Sequence, residues 1–173
     1  MSDVKKKLMF SSSDDPNYIC FWVITTLDKL GKKNGNYFND SRKLLFIIML
    51  LSDNQTFDAI IKSIDFSASK QEKELLHESY KNGITKITRF NSLLITIEKK
   101  GLITLRKSRS LDTLDLTLNK EKIPKGFFNK KEFGIEYEKV LKLKSSVERM
   151  TALSLDTFIE RVYKNNGVKT WQA

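Results

Sequence analysis

The sequence predicts a mainly α-helical chain with one small β-hairpin: a winged helix-turn-helix core with additional N- and C-terminal helices. Apolar residues recur at helical spacing from residue 16 onward, whereas a stretch at 103–118 alternates as strands do. The two patterns meet in the order helix, short break, helix, hairpin, and the hairpin carries a basic tip. With 173 residues, 7 Gly and 2 Pro, the chain suits one globular domain with helical extensions and not a disordered polymer. We read 1–15 as a flexible N-terminal tail, 16–126 as the winged-helix-like core and 127–173 as a C-terminal helical extension packed on it.

The first helix starts after Asp14-Asp15-Pro16, where an acid can accept from unpaired backbone N–H groups and proline suits the first turn. Its residues Ile19, Phe21, Trp22, Val23, Ile24, Leu27 and Leu30 leave little polar face, so the helix is expected to be buried. Gly31 and the polar run 32–36 end it. Asn39-Asp40-Ser41 then caps a second apolar helix, Arg42 to Leu51. Phe57, Ile60, Ile61 and Ile64 mark a short amphipathic helix, and Ser69-Lys70-Gln71-Glu72 fits a capping box opening another that runs to Tyr80. Asn82-Gly83 is expected to stop it. A further helix follows from Ile84 to Lys99, with Ile87, Leu94 and Ile97 on its core side, closed by Lys100-Gly101. Ile103 and Leu105, then Leu114, Leu116 and Leu118, alternate around a polar turn at Lys107-Ser108-Arg109-Ser110. Two closing helices are expected, about Gly134 to Met150 and Ser154 to Asn165.

The residues give no support to catalysis, and the chain is expected not to be an enzyme. His77 stands alone on a surface helix with no companion nucleophile, and Cys20 sits in an apolar helix where burial makes a thiol inert. Gly31-Lys32 lacks the glycine and hydroxyl of a phosphate-binding loop, because Thr26 and Lys33 stand in those places. Glu98-Lys99-Lys100 has the E-x-K form of some metal-dependent nucleases, but at a helix end; we read it as a charge cluster. Asp112 and Asp115, three apart, face opposite sides of a strand and cannot share a metal. No cofactor and no metal are expected. Eight consecutive apolar residues, Leu44 to Leu51, form the longest such run, against about 20 for a membrane span. No signal peptide is recognised and one cysteine gives no disulfide framework, so a soluble, cytoplasmic chain without membrane contact is expected.

Positive charge remains. There are 31 Lys+Arg against 21 Asp+Glu, a net charge of +10. Lys99, Lys100, Arg106, Lys107 and Arg109 fall within eleven positions with no acid between them, and are the candidates for DNA phosphate contact. Lys120, Lys122, Lys125, Lys130 and Lys131 extend the bias. The expected recognition helix offers only Lys86, Arg89, Asn91 and Ser92 for base edges, so non-specific contact with duplex DNA is favoured over operator recognition.

In this order of elements the chain resembles the middle component of ABC-three-component systems, including the small subunit of Lamassu-type anti-phage defence complexes. The likeness rests on the tail containing Pro16-Asn17, the apolar Leu44-Leu45-Phe46-Ile47-Ile48-Met49-Leu50, the stretch from Ile84-Thr85-Lys86-Ile87-Thr88-Arg89-Phe90 through Lys100-Gly101-Leu102-Ile103, and a closing helix ending in Gly167-Val168. The resemblance implies a non-catalytic accessory subunit with a winged-helix core. Its implied partners are an SMC/Rad50-like ABC ATPase and a separate effector, often a nuclease. Phe158, Tyr163 and Trp171 suit either core or an interface anchor.

Two function classes follow. One is an adaptor that docks on such an ATPase and touches DNA weakly if at all. The other is a free-standing winged-helix transcriptional regulator that binds a specific site as a dimer. A regulator needs an exposed polar face on its recognition helix, whereas an adaptor can bury that helix. The thin polar face favours the adaptor.

Overall fold

Asp15 opens helix α1 (Pro16–Leu30) in the computed structural model, which describes residues 14–31, 37–109 and 112–171. Its carboxylate accepts from the Asn17 backbone N–H at 2.7 Å, and Pro16 fills the first turn, where a missing N–H costs nothing. Most of this helix is buried, as its nearly all-round apolar pattern requires. Helix α2 (Ser41–Leu51) is capped by Asp40 and lies at the centre: it packs against every other helix and against the sheet. The run Leu44 to Leu51 is therefore enclosed by protein on all sides. Among the described residues no single helix is long and apolar enough to cross a membrane.

Even Lys43 of α2 is buried. Its ammonium donates to the carbonyls of Thr151 at 3.1 Å and Leu153 at 2.7 Å and lies 5.0 Å from the Phe38 ring centre, so the charge has partners in place of water.

After the short α3 (Asn54–Asp65), Ser69 caps α4 with the reciprocal pair expected of a capping box: Glu72 N–H to Ser69 Oγ, and Ser69 N–H to Glu72 Oε2. The expected stop at Asn82-Gly83 does not occur. Helix α4 runs unbroken over Lys70–Lys99, so the two separate helices read from the sequence are one. Gly83 serves packing, not termination. A Cβ there would meet Phe46 Cε1 at 2.4 Å, so the missing side chain lets α4 lie directly on the α2 aromatic. The helix-break-helix order that suggested a helix-turn-helix is thus absent at that point, and the architecture is a mainly helical fold with one small two-stranded sheet.

Gly101, at φ 77°, ends α4 in the left-handed conformation and turns the chain into β1 (Ile103–Lys107), which pairs antiparallel with β2 (Leu114–Leu118). The register sets Ile103 opposite Leu118 and Arg106 opposite Asp115. On the other edge, Phe38 exchanges backbone hydrogen bonds with Leu116 at 2.8 and 3.0 Å, tying the segment before α2 to the sheet.

Helix α5 (Lys130–Ser146) opens one turn ahead of the expected Gly134 because Asn129 caps it. Phe133 breaks the helical angles, and the regular part starts at Gly134; the Phe133 ring is drawn against Phe21, 4.9 Å between centres. The helix also ends before Met150, which is buried beyond it. Helix α6 (Leu155–Val162), capped by Ser154, is shorter than expected and passes into a 3-10 turn at Lys164–Asn166. Phe158 and Tyr163 belong to the core, and Trp171 is half exposed.

Leu94 and Ile97 face the core as expected, while Ile87 is only partly buried. Leu94→Ala should lower the unfolding free energy by about 2–5 kcal/mol, through lost transfer energy and the cavity left behind. Urea denaturation of the variant beside the parent measures it, and equal midpoints with equal slopes would place that face outside the core.

Candidate nucleic-acid interface

Alternation puts Asp115 of β2 directly across from Arg106 of β1, and this pairing shapes the hairpin. Arg106 donates from Nε and from a terminal nitrogen to Asp115 Oδ2, both at 3.3 Å, and its guanidinium lies 4.0 Å from the Tyr37 ring centre. Asp115 is buried and also accepts from the Asp40 backbone N–H at 3.1 Å. Asp40, at φ 66°, caps α2 through Arg42 N–H and grips the Arg42 guanidinium with both oxygens, at 3.0 and 2.8 Å. This grip raises the Arg42 pKa further above its usual range. Tyr37, Arg106, Asp115, Asp40 and Arg42 thus form one connected chain, with an arginine on each carboxylate and the Asp40 backbone N–H joining the two. Its four charged members line a cleft of about 480 Å³ between the hairpin and the start of α6, which adds Arg109, Lys43 and Asp156 to its walls.

The candidate DNA contacts divide accordingly. Arg106 is committed to Asp115. Lys107 meets Asp112 at 3.0 Å, both highly exposed, a pair that water and salt weaken. Lys99 and Lys100 lie exposed at the end of α4, and Arg109 is exposed at the hairpin tip, beside residues 110–111 that fall outside the described ones. The wider basic bias is also partly neutralised. Lys120 meets Asp28 at 2.7 Å, with Lys29 on the same carboxylate at 2.8 Å. Burial opposes the Asp28 charge, but these two ammonium groups overcome it and hold the carboxyl below its usual range. Lys122, Lys125 and Lys131 are exposed; the side chain of Lys130 lies outside the described residues.

Of the four recognition-helix candidates, Lys86, Arg89 and Ser92 share one face of α4 and line one cleft, whereas Asn91 turns toward α2. Lys86 lies 3.0 Å from Asp14, and Arg89 reaches the same residue, its guanidinium 3.7 Å from the carboxylate and donating to the carbonyl at 2.9 Å. Asn91 accepts from the Ser41 hydroxyl at 3.2 Å, and the Ser92 hydroxyl turns back to Thr88 O. Sequence spacing could not show Asp14, because it lies more than seventy positions away, just before α1. Asp115 is visible in the sequence, where its spacing from Asp112 speaks only to metal binding. The signal that reveals its role is the hairpin register.

Glu98 is structural: its carboxylate accepts from the Leu105 backbone N–H at 2.7 Å and fastens β1 to α4. Cys20 is half-buried, and burial pushes its thiol pKa up. His77 rests edge-on against Trp171, 6.0 Å between centres. Among the described residues no three His, Cys, Asp or Glu side chains gather as a metal site would require.

Fold and site together define a mainly helical chain whose small sheet is tied to the α2 cap through Arg106, Asp115 and Asp40 and carries the exposed Lys107 and Arg109. Compared with protein-family models, with curated proteins and with solved structures, it matches none.

Asp115→Ala removes the acceptor for the buried Asp40 N–H and for Arg106. The variant should lose about 1–3 kcal/mol of stability, with Asp115→Asn, which keeps an acceptor oxygen, losing less. Thermal denaturation of the two variants tests this ranking; an Ala variant as stable as the parent would remove the network from any structural role.

Proposed function

We propose that this chain is a non-catalytic accessory subunit of an SMC/Rad50-like ABC ATPase complex of anti-phage defence. It docks on the ATPase through its helical faces and touches duplex DNA without sequence preference through the hairpin. In this reading α3, α4 and the hairpin form a winged-helix-like core, with the Phe38–Leu116 bridge extending the wing. The observation that carries the choice is the commitment of the helix expected to read DNA. Lys86 and Arg89 turn toward Asp14, Asn91 takes the Ser41 hydroxyl and the Ser92 hydroxyl turns back to its own helix, which leaves a free-standing regulator only a thin face for base contacts. What the hairpin offers is charge alone: Lys107, Arg109, Lys99 and Lys100 are exposed, and phosphate contacts position without specifying.

The test uses the complex obtained by co-expression with an SMC/Rad50-like ATPase encoded beside this chain. Replacing Lys107 and Arg109 together with Glu should weaken duplex binding by the complex, to a similar extent for unrelated sequences and most strongly at low salt. Ala replacements should lower the salt slope by about 0.9 for each phosphate contact removed. Co-purification with the ATPase should persist in both. Unchanged affinity and slope would take DNA contact away from the hairpin, and failure to co-purify in the parent would remove the adaptor reading itself.

A further inference from the structure

The cleft of about 480 Å³ between the hairpin and the start of α6 is walled by arginines that use only part of their hydrogen-bonding capacity. Arg42 gives Nε and Nη2 to Asp40, and Arg106 gives Nε and Nη2 to Asp115. Both carboxylates are buried, and the Asp40 N–H joins them, so each guanidinium is held from behind by a fixed anchor. The other edge of each fork, with Nη1, makes no hydrogen bond among the described residues. With 23% of the Arg42 side chain and 45% of the Arg106 side chain exposed, a ligand can reach these edges.

Arg109, exposed at the hairpin tip, adds a third guanidinium to the same walls. On the α6 side Ala152, Leu153 and Leu155 line the cleft with carbon. Of the three lining carboxylates, Asp156 alone is gripped by no arginine fork among the described residues, and it lies close enough to Arg42 to act on its charge.

We propose that this cleft binds a small phosphate monoester of about mononucleotide size, held by Arg42, Arg106 and Arg109. A phosphate monoester offers several terminal oxygens and accepts from more than one guanidinium at once, whereas a carboxylate is filled by a single fork. Arginines already fixed by buried carboxylates lose little side-chain freedom when they bind. The volume falls within the range of small-molecule sites, about 300–1,000 Å³, and Ala152 and Leu153 offer the apolar surface for the body that carries the phosphate. A DNA duplex is too wide to enter such a cleft, so this ligand is separate from the DNA contact of the hairpin. The inference does not depend on the adaptor reading.

Isothermal titration calorimetry of the full chain tests it, at about 0.15 M salt, where charges more than about 8 Å apart are largely screened. Adenosine monophosphate is the probe, with inorganic phosphate and adenosine beside it. The nucleotide should bind saturably at a single site, inorganic phosphate more weakly, and adenosine not at all. Arg109→Ala should weaken nucleotide binding about tenfold, the loss of a charge-assisted hydrogen bond. Arg106→Lys, which keeps the charge but not the fork, should weaken it too. Lys107 alternates to the opposite face of β1 from Arg106, so Lys107→Ala should leave the affinity unchanged. Asp156→Asn removes the ungripped carboxylate and should tighten binding. Arg109, Lys107 and Asp156 are exposed, so their variants keep the fold. Absence of saturable binding, adenosine or inorganic phosphate binding as tightly as the nucleotide, or equal losses in Arg109→Ala and Lys107→Ala would each overturn the proposal.

Discussion

Gly83 sits in the middle of α4 with the Phe46 ring so close that an added Cβ would meet Cε1 at 2.4 Å. The ring has little room to retreat, since Phe46 is wholly buried in a triangle of rings with Tyr80 and Tyr163, 5.7 and 5.9 Å between centres. Through this contact a 30-residue helix lies unbroken on the central apolar helix. Much else follows from it. Because α4 continues past Gly83, it carries Leu94 and Ile97 into the core and delivers Gly101 to the position from which the hairpin turns back. Because α2 is covered on every side, even Lys43 must find carbonyl partners inside the protein.

The local signals of the sequence were legible where one element decides them alone. Asp15, Asp40 and Ser69 cap the helices they were expected to cap, and the strands at 103–107 and 114–118 follow their alternation. Asn82-Gly83 misled because its meaning lies in another helix: in isolation the dipeptide signals a stop, but facing Phe46 the glycine is a spacer that keeps the helix running. The ends of α5 and α6 failed for a related reason. Phe133 leaves helical geometry to join Phe21, and Tyr163 closes α6 early while its ring joins the Phe46 cluster.

The charges followed the same rule. A net charge of +10 and a basic hairpin were plain in the sequence. Their partners were not, because Asp14 reaches Lys86 and Arg89 from the start of another helix and Asp115 reaches Arg106 only through strand register. Some of the cations are paired in this way, while others, at the hairpin tip, at the end of α4 and at Lys122, Lys125 and Lys131, are exposed.

The most direct test of this account is the sign of one free-energy change. In an open helix interior, Gly→Ala adds about 1 kcal/mol of stability through propensity alone. If α4 rests on Phe46 as described, Gly83→Ala must push a fully buried ring packed against two others, and urea denaturation should show a loss of stability, with overpacking costing about 1–3 kcal/mol. A gain of stability in the alanine variant would mean that Gly83 faces open space, and that the continuous helix on the buried aromatic is not the constraint on which this fold depends.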